Sequence, residues 1–396
     1  MEPQPTASAA SSSDSSSHSR EVALQNWANS IPFFPLLLSW YFGGVLCVAT
    51  SKTLLMGDGA ISPSTLSMFQ FLCSVLPLNY ALHGHALWRG IPLSLPRLSL
   101  QDHKVQKLSI CAFFYSTGFL LTSVSFFASS ASFTETIKAA EPLTSSAVAF
   151  IYKLDIVPFN EMASLLLIVM GVVLTTKGAH SGNGVPAAAK TQDVLLSTVI
   201  TLSANLCFSF RGAYQTMLKK PDKTNSSSAP LKVITDFQLF LRMSHFGFFL
   251  SLALVLSSDI LWPSLARSSD TTLAHIVIKI VNALPLLIIN GVCHGVYNQA
   301  STVMLSRLSL IHHAALNCAR RLFAIVVTSF YFRVPFTTSG LLGVALTLLG
   351  FGVYSNLKAA RKLRVSNDVA APVPGENSLL SENVKFERRN RIHSHL

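Results

Sequence analysis

Residues 157–177 read VPFNEMASLLLIVMGVVLTTK and residues 334–358 read VPFTTSGLLGVALTLLGFGVYSNLK, and the likeness between these two stretches decides the architecture. Each opens on Val-Pro-Phe, passes through a short polar start into an apolar run holding glycine (Gly171; Gly350 and Gly352), and closes on a lysine (Lys177; Lys358). The residue before a proline is pushed out of the helical region, so each Val-Pro-Phe marks a boundary between two apolar helices. The copies lie 177 residues apart.

Outward from these marks, a membrane-crossing helix needs about 20 mostly apolar residues, and ten runs of that kind follow one another. The first five are Phe33–Met56, Ser64–Leu87, Leu108–Ala128, Ala131–Tyr152 and Phe159–Thr176. The second five are Val194–Leu218, Thr235–Ser258, Ala283–Leu305, Ile311–Phe332 and Thr337–Asn356. A unit of five spans has an odd count, so two copies in series insert in opposite orientations, with a substrate site at their interface. Positive charge tests the threading: the N-terminal tail, the connections after the even-numbered spans and the C-terminal tail hold nineteen Lys and Arg, the remaining connections four. Cytoplasmic segments carry that excess, which puts both termini in the cytosol. The sequence thus predicts an all-α membrane protein of ten transmembrane helices in two inverted five-helix repeats, residues 32–177 and 194–358. A loop at 178–193 joins them; residues 1–31 form a disordered cytosolic tail and 359–396 a basic cytosolic tail whose Lys358, Arg361, Lys362 and Arg364 anchor the last helix.

Composition excludes the soluble classes. Half of the 396 residues are hydrophobic and 12% are charged, against roughly 25% charged in a soluble domain. The net charge of +12 is scattered between apolar runs and not gathered on one face, so a nucleic-acid partner is not expected. The six cysteines all fall inside apolar segments without a CxxC pair, and read as reduced packing residues. No HExxH, GxSxG or P-loop pattern occurs; an enzyme, a metal and a cofactor are not expected, and no protein partner is evident. His312 and His313 read as a polar helix start.

Seven cations fall within or at the edges of the spans: Lys52, Lys138, Arg211, Arg242, Lys279, Arg320 and Arg321. A charge at mid-bilayer costs about 2.5–3.5 kcal/mol on insertion scales, so each needs a partner. Lys52 and Lys279 lie close enough to span ends to snorkel, and Arg242 stands one turn from Gln238. Lys138, Arg320 and Arg321 are about seven to ten residues deep, too far to snorkel at a rise of ~1.5 Å per residue. Glu135 and Glu141 flank Lys138 one turn away on either side and predict a helix-internal ion pair. No acid occurs in the ninth span, and the two adjacent guanidiniums ask for a buried anion, phosphate above all, whose oxygens match their donors. Lys138 and the arginine pair sit on the fourth helix of each repeat, so all three are expected to face one cavity.

At these residues the chain resembles the triose-phosphate/phosphate translocator family of the drug/metabolite transporter superfamily. Ser132–Pro142, SFTETIKAAEP, resembles the family's fourth-helix element, whose phosphate-binding lysine falls on Lys138; Asn317–Arg321, NCARR, resembles NxxKR, whose cations fall on Arg320 and Arg321. Tyr297–Gln299 resembles the family's YNQ element, and Asn205–Tyr214, NLCFSFRGAY, its sixth-helix element. That match places Arg211 beside the part of the substrate away from the phosphate, with snorkelling from the end of span six as the other reading. Arg320 replaces the usual lysine, Phe119 stands where a substrate-facing histidine is common, Glu135 where histidine is frequent, and Thr122 still fits. For Tyr297 the plain alternative is packing at a helix end.

The resemblance implies a drug/metabolite transporter fold and an antiporter that exchanges inorganic phosphate for triose phosphate, 3-phosphoglycerate or phosphoenolpyruvate by alternating access. Its expected substrate-binding residues are Lys138, Arg320, Arg321, Tyr297, Thr122 and Arg211, and its partners are small phosphorylated anions and the lipid bilayer. A nucleotide-sugar/nucleoside monophosphate antiporter of Golgi or ER shares the ten-helix plan and is the alternative; a receptor or scaffold leaves the buried cations unexplained. Function points to a plastid-type envelope, with the outer membrane of a complex plastid reconciling it with an N-terminus that lacks an evident transit peptide.

Overall fold

In the computed structural model, residues 7–56, 59–83, 103–129, 131–154, 158–180, 191–219, 234–261, 273–331 and 338–370 are described, and they contain helices and no strand. In chain order the helices are α1 (Ala7–Ser30), α2 (Phe33–Leu54), α3 (Pro63–His83), α4 (His103–Ala128), α5 (Ala131–Lys138) and α6 (Glu141–Ile151). There follow α7 (Phe159–His180), α8 (Thr191–Lys219), α9 (Asp236–Leu254, running on as a π turn to Leu261), α10 (Leu273–Arg307), α11 (Leu310–Tyr331) and α12 (Thr338–Ala370). Seven are long and apolar enough to cross a membrane, and Phe159–Gly171 in α7 and Thr338–Tyr354 in α12 are shorter apolar segments of the same kind. With large apolar side chains such as Phe150, Phe159, Leu195 and Leu342 left on the outside, the chain is a multi-pass membrane protein.

Over its described residues each expected span falls largely on a helix, but the fourth is not continuous: Ala139 and Ala140 form a turn between α5 and α6. The cause is Pro142, which has no amide hydrogen and whose ring excludes the carbonyl four residues earlier, that of Lys138. The N-terminal segment also departs from expectation. It is helical over Ala7–Ser30, and Glu21 is buried, accepting hydrogen bonds from Thr235 Oγ1 and Gln238 Nε2, each at 2.8 Å. Gln25 Nε2 donates to Asp236 Oδ2 at 3.0 Å, and Arg307 donates to the carbonyls of Ile31 and Ala28. A Ser-rich composition suggests disorder, but these long-range polar partners at the start of α9 and the end of α10 supply what the segment's weak hydrophobicity does not. Val157, residues 332–337 and the greater part of the C-terminal tail lie outside the described residues, as do the connections 84–102, 181–190 and 220–233.

The helices pack chiefly in pairs, α2 with α10, α3 with α9, α4 with α8 and α7 with α12, while α5 and α6 pack against both α8 and α11. Small residues permit the closest of these approaches. A Cβ on Gly171 would lie 2.6 Å from the Thr347 backbone nitrogen and 2.8 Å from the Gly343 oxygen; one on Gly350 would lie 3.0 Å from the Ile168 nitrogen. Gly171 and Gly350, two of the glycines that marked the sequence repeat, thus face each other's helices, and Arg361 Nε to Glu161 Oε1, at 3.0 Å, ties the same pair near its end. Overpacking a close interface costs typically about 1–3 kcal/mol. Gly171→Leu is therefore expected to lower the apparent melting temperature of the purified protein by several degrees. Gly352→Ala, where a Cβ meets open space, leaves it unchanged in the same thermal-shift measurement.

Candidate functional site

The break at Pro142 builds the site. It leaves Lys138 in the last turn of α5 and Glu141 in the first turn of α6, where helix dipoles favour a cation and a carboxylate respectively. Across from them α11 presents Asn317, Arg320 and Arg321, all buried. Arg321 is 1% exposed; its Nη1 donates to Glu135 Oε2 at 2.8 Å and its Nη2 to Glu141 Oε2 at 2.7 Å. Asn317 Nδ2 donates to the same Glu141 oxygen.

This reverses the expected roles. The glutamates flanking Lys138 pair instead with Arg321, the cation predicted to lack a counter-ion, whose two Nη groups reach one carboxylate each. Lys138 is left without a carboxylate among the described residues. Its Nζ donates to Thr122 Oγ1 at 2.9 Å and lies 5.1 Å from the Phe208 ring centroid and 5.9 Å from that of Phe126. Arg320 donates through Nε to Asn317 Oδ1 at 2.9 Å, and its guanidinium lies 5.5 Å from the Tyr297 ring centroid. It reaches there past Gly44, where any Cβ would collide with Nη1.

Lys138, Arg320, Thr122, Tyr297, Glu135 and His294 line one buried chamber. Its volume is about 30 Å³, enough for one or two waters; a phosphorylated three-carbon compound enters only when the walls part. Arg321 does not line it but braces it from behind. Arg211 does not line it either, nor does it snorkel. It is 5% exposed, lies 5.8 Å from the Phe208 centroid and 5.7 Å from that of Tyr115, and its Nε has no hydrogen-bond partner among the described residues. The Phe208 ring is thus shared by Lys138 and Arg211.

Other residues join the wall that the sequence reading passed over. Gln70 Nε2 donates to Asn290 Oδ1 at 2.9 Å, and Asn290 Nδ2 donates to Ser51 Oγ and to the Cys47 carbonyl, each at 2.9 Å, binding α2, α3 and α10 beside the chamber. Their signal was present as single amides in apolar spans, where a polar group demands a partner. Lys52 is fastened as well: its Nζ donates to the Phe126 and Ser129 carbonyls at 2.8 and 2.7 Å, capping α4 instead of reaching lipid head groups. His313 is buried, bonded to Ser301 Oγ at 2.9 Å and stacked on Trp40, no mere polar helix start. Arg242 is exposed, and its neighbour Gln238 bonds Glu21.

An all-helical membrane protein with two cations, Lys138 and Arg320, and a single carboxylate, Glu135, on one internal chamber has the makings of an anion carrier. The chain belongs to the triose-phosphate transporter family, whose model matches residues 33–355, a family of transporters and not of enzymes. It is 25% identical over 330 residues to phosphoenolpyruvate/phosphate translocator 3, chloroplastic, of Oryza sativa subsp. japonica, covering 82% of this chain and 74% of that protein. It is 25% identical over 324 residues to the triose phosphate/phosphate translocator, non-green plastid, chloroplastic, of Brassica oleracea var. botrytis, covering 82% and 72%. A protein known by its crystal structure superposes with a TM-score of 0.54 over 83% of this chain and 96% of its own, at 15% identity, a likeness of fold alone.

The two arginines are expected to separate cleanly on mutation. Removing one partner of a buried ion cluster costs about 3–5 kcal/mol, so Arg321→Ala, which strands Glu135 and Glu141, is expected to abolish the monodisperse peak in detergent size-exclusion chromatography. Arg320→Ala, which strands no carboxylate, retains that peak.

Proposed function

We propose that this chain is a secondary antiporter that exchanges inorganic phosphate for phosphorylated C3 compounds such as triose phosphate, 3-phosphoglycerate and phosphoenolpyruvate by alternating access. The observation that carries the reading is the meeting of Lys138 from the first half and Arg320 from the second on one buried chamber. The names of the relatives agree with it, and on their account we assign the membrane to a plastid envelope, with both termini in the cytosol.

We read the ten spans as two inverted five-helix halves. Shifting every span by five turns the α2–α10 pair into the α8–α4 pair and maps the α3–α9, α7–α12 and α5/α6–α11 pairs onto themselves; all of these pairings occur. That self-consistency supports an axis in the membrane plane with the chamber on it.

In the mechanism, Lys138 and Arg320 donate to the phosphate oxygens, and Thr122 and Tyr297 fix the phosphate from the side. A phosphate monoester carrying about −1.5 to −2 charge offsets both cations. Arg321 positions α5, α6 and α11 around the guest without releasing its carboxylates. Arg211 meets the organic end once Phe208 turns aside. An empty closed chamber leaves Lys138 and Arg320 facing a low dielectric with Glu135 as their sole counter-charge in the wall, so reorientation is favoured when an anion sits between them.

The test is uptake of labelled phosphate into proteoliposomes. Uptake is expected with phosphate or phosphoenolpyruvate loaded inside, and equal uptake into unloaded vesicles would overturn the exchange. Hydrogen bonds to charged groups contribute about 1.5–3 kcal/mol each, so Lys138→Ala and Arg320→Ala are each expected to lower kcat/KM for phosphate about 10- to 100-fold while the protein stays folded.

A further inference from the structure

The chamber wall also holds a group that the phosphate does not need. His294, on α10 one turn before Asn298, is fully buried and lines the chamber with Lys138 and Arg320. Its Nδ1 lies 3.3 Å from Ser74 Oγ, and Ser74 Oγ donates its one hydrogen to the Gln70 carbonyl at 2.7 Å. Ser74 can therefore only accept from the ring, which places the hydrogen of the neutral imidazole on Nδ1 and leaves Nε2 a bare acceptor. Nε2 is buried and has no hydrogen-bond partner among the described residues.

The ring cannot easily turn this atom elsewhere. Phe119, Phe71 and Tyr297 meet it edge to face, with centroids 4.7, 5.6 and 5.7 Å away. An unmet buried acceptor is costly until a donor completes it. Lys138 and Arg320 are donors only, suited to phosphate oxygens and unable to answer a hydroxyl hydrogen. Other acceptors line the chamber, the second carboxylate oxygen of Glu135 and the Ser51 hydroxyl among them, but of the wall's buried side-chain nitrogens and oxygens Nε2 is the one with no hydrogen-bond partner among the described residues.

We infer that His294 is a specificity-determining residue: Nε2 accepts a hydrogen bond from a hydroxyl on the guest's carbon skeleton. The site thereby favours hydroxyl-bearing C3 phosphates over guests that carry none. This rests on the phosphate-exchange reading and adds a discrimination between guests that the cations alone do not make. Triose phosphate as dihydroxyacetone phosphate, and 3-phosphoglycerate, each offer such a hydroxyl; phosphoenolpyruvate offers none.

The test compares these three as counter-substrates for labelled phosphate in proteoliposomes. His294→Phe keeps a ring in the aromatic nest and removes Nε2. Its expected effect is a KM about tenfold higher for dihydroxyacetone phosphate and 3-phosphoglycerate, the size of one lost hydrogen bond, with the KM for phosphoenolpyruvate unchanged. Should the phenylalanine variant fail to fold by size-exclusion chromatography, His294→Met, apolar and adaptable, carries the same expectation. Equal shifts for all three guests, or none, would overturn the inference while leaving exchange itself intact. An unaltered protein that exchanges no phosphate would instead overturn the antiporter reading on which it rests.

Discussion

Arg321, held between Glu135 and Glu141, is the constraint on which the rest of the arrangement depends. Those two carboxylates lie on different helices, one on each side of the Pro142 break, and the guanidinium of a third helix closes the gap. A broken helix in a membrane frees backbone groups that must find partners, and its halves are free to move apart. Bridging both with a single rigid fork fixes the end of α5 against the start of α6 and fastens both to α11. The isolated cost of burying three charges is high; the two ion pairs through Nη1 and Nη2 offset it, and the product is a scaffold for the neighbouring cations, not a binding group.

That division of labour changes the electrostatics of the chamber. With Arg321 engaged by the carboxylates, Lys138 and Arg320 are left to face the chamber, each held by a neutral acceptor and a ring: Thr122 and Phe208 for Lys138, Asn317 and Tyr297 for Arg320. Aromatic faces stabilise cations without neutralising them, so the charges stay available to an incoming anion. The helix pairings carry this site from both halves, and the glycine contacts between α7 and α12 keep a tight seam at its flank.

Much of this was legible in the chain itself. The apolar runs lead to the helices, and Gly171 and Gly350 to the α7–α12 seam, because span length is a local property. Pro142 was legible too, as a helix breaker in the fourth span, yet the apolar run on both sides concealed the turn. Lys138, Arg320, Thr122 and Tyr297 were indicated by their depth in the spans and by family resemblance, and they do share a wall. What the sequence could not disclose was the partner of Arg321, since Glu141 lies 180 residues away and the choice between Lys138 and Arg321 is made by three-dimensional geometry. His294 was hidden for a related reason: only its distance to Ser74 reveals which ring nitrogen is left unmet. The Ser-rich N-terminus misled in the opposite sense, its composition suggesting disorder where Glu21 and Gln25 find partners on α9.

Gly44 has a mechanical consequence. The Arg320 guanidinium occupies the volume that a side chain on α2 would fill, and α2 is joined to the same helix by Tyr41 Oη donating to the Leu316 carbonyl at 2.8 Å. The two helices thus fit as notch and peg. In the proposed antiporter, a tilt of α2 would move that notch along the arginine, and a guest drawing the guanidinium toward itself would press back on α2 through a missing methyl group.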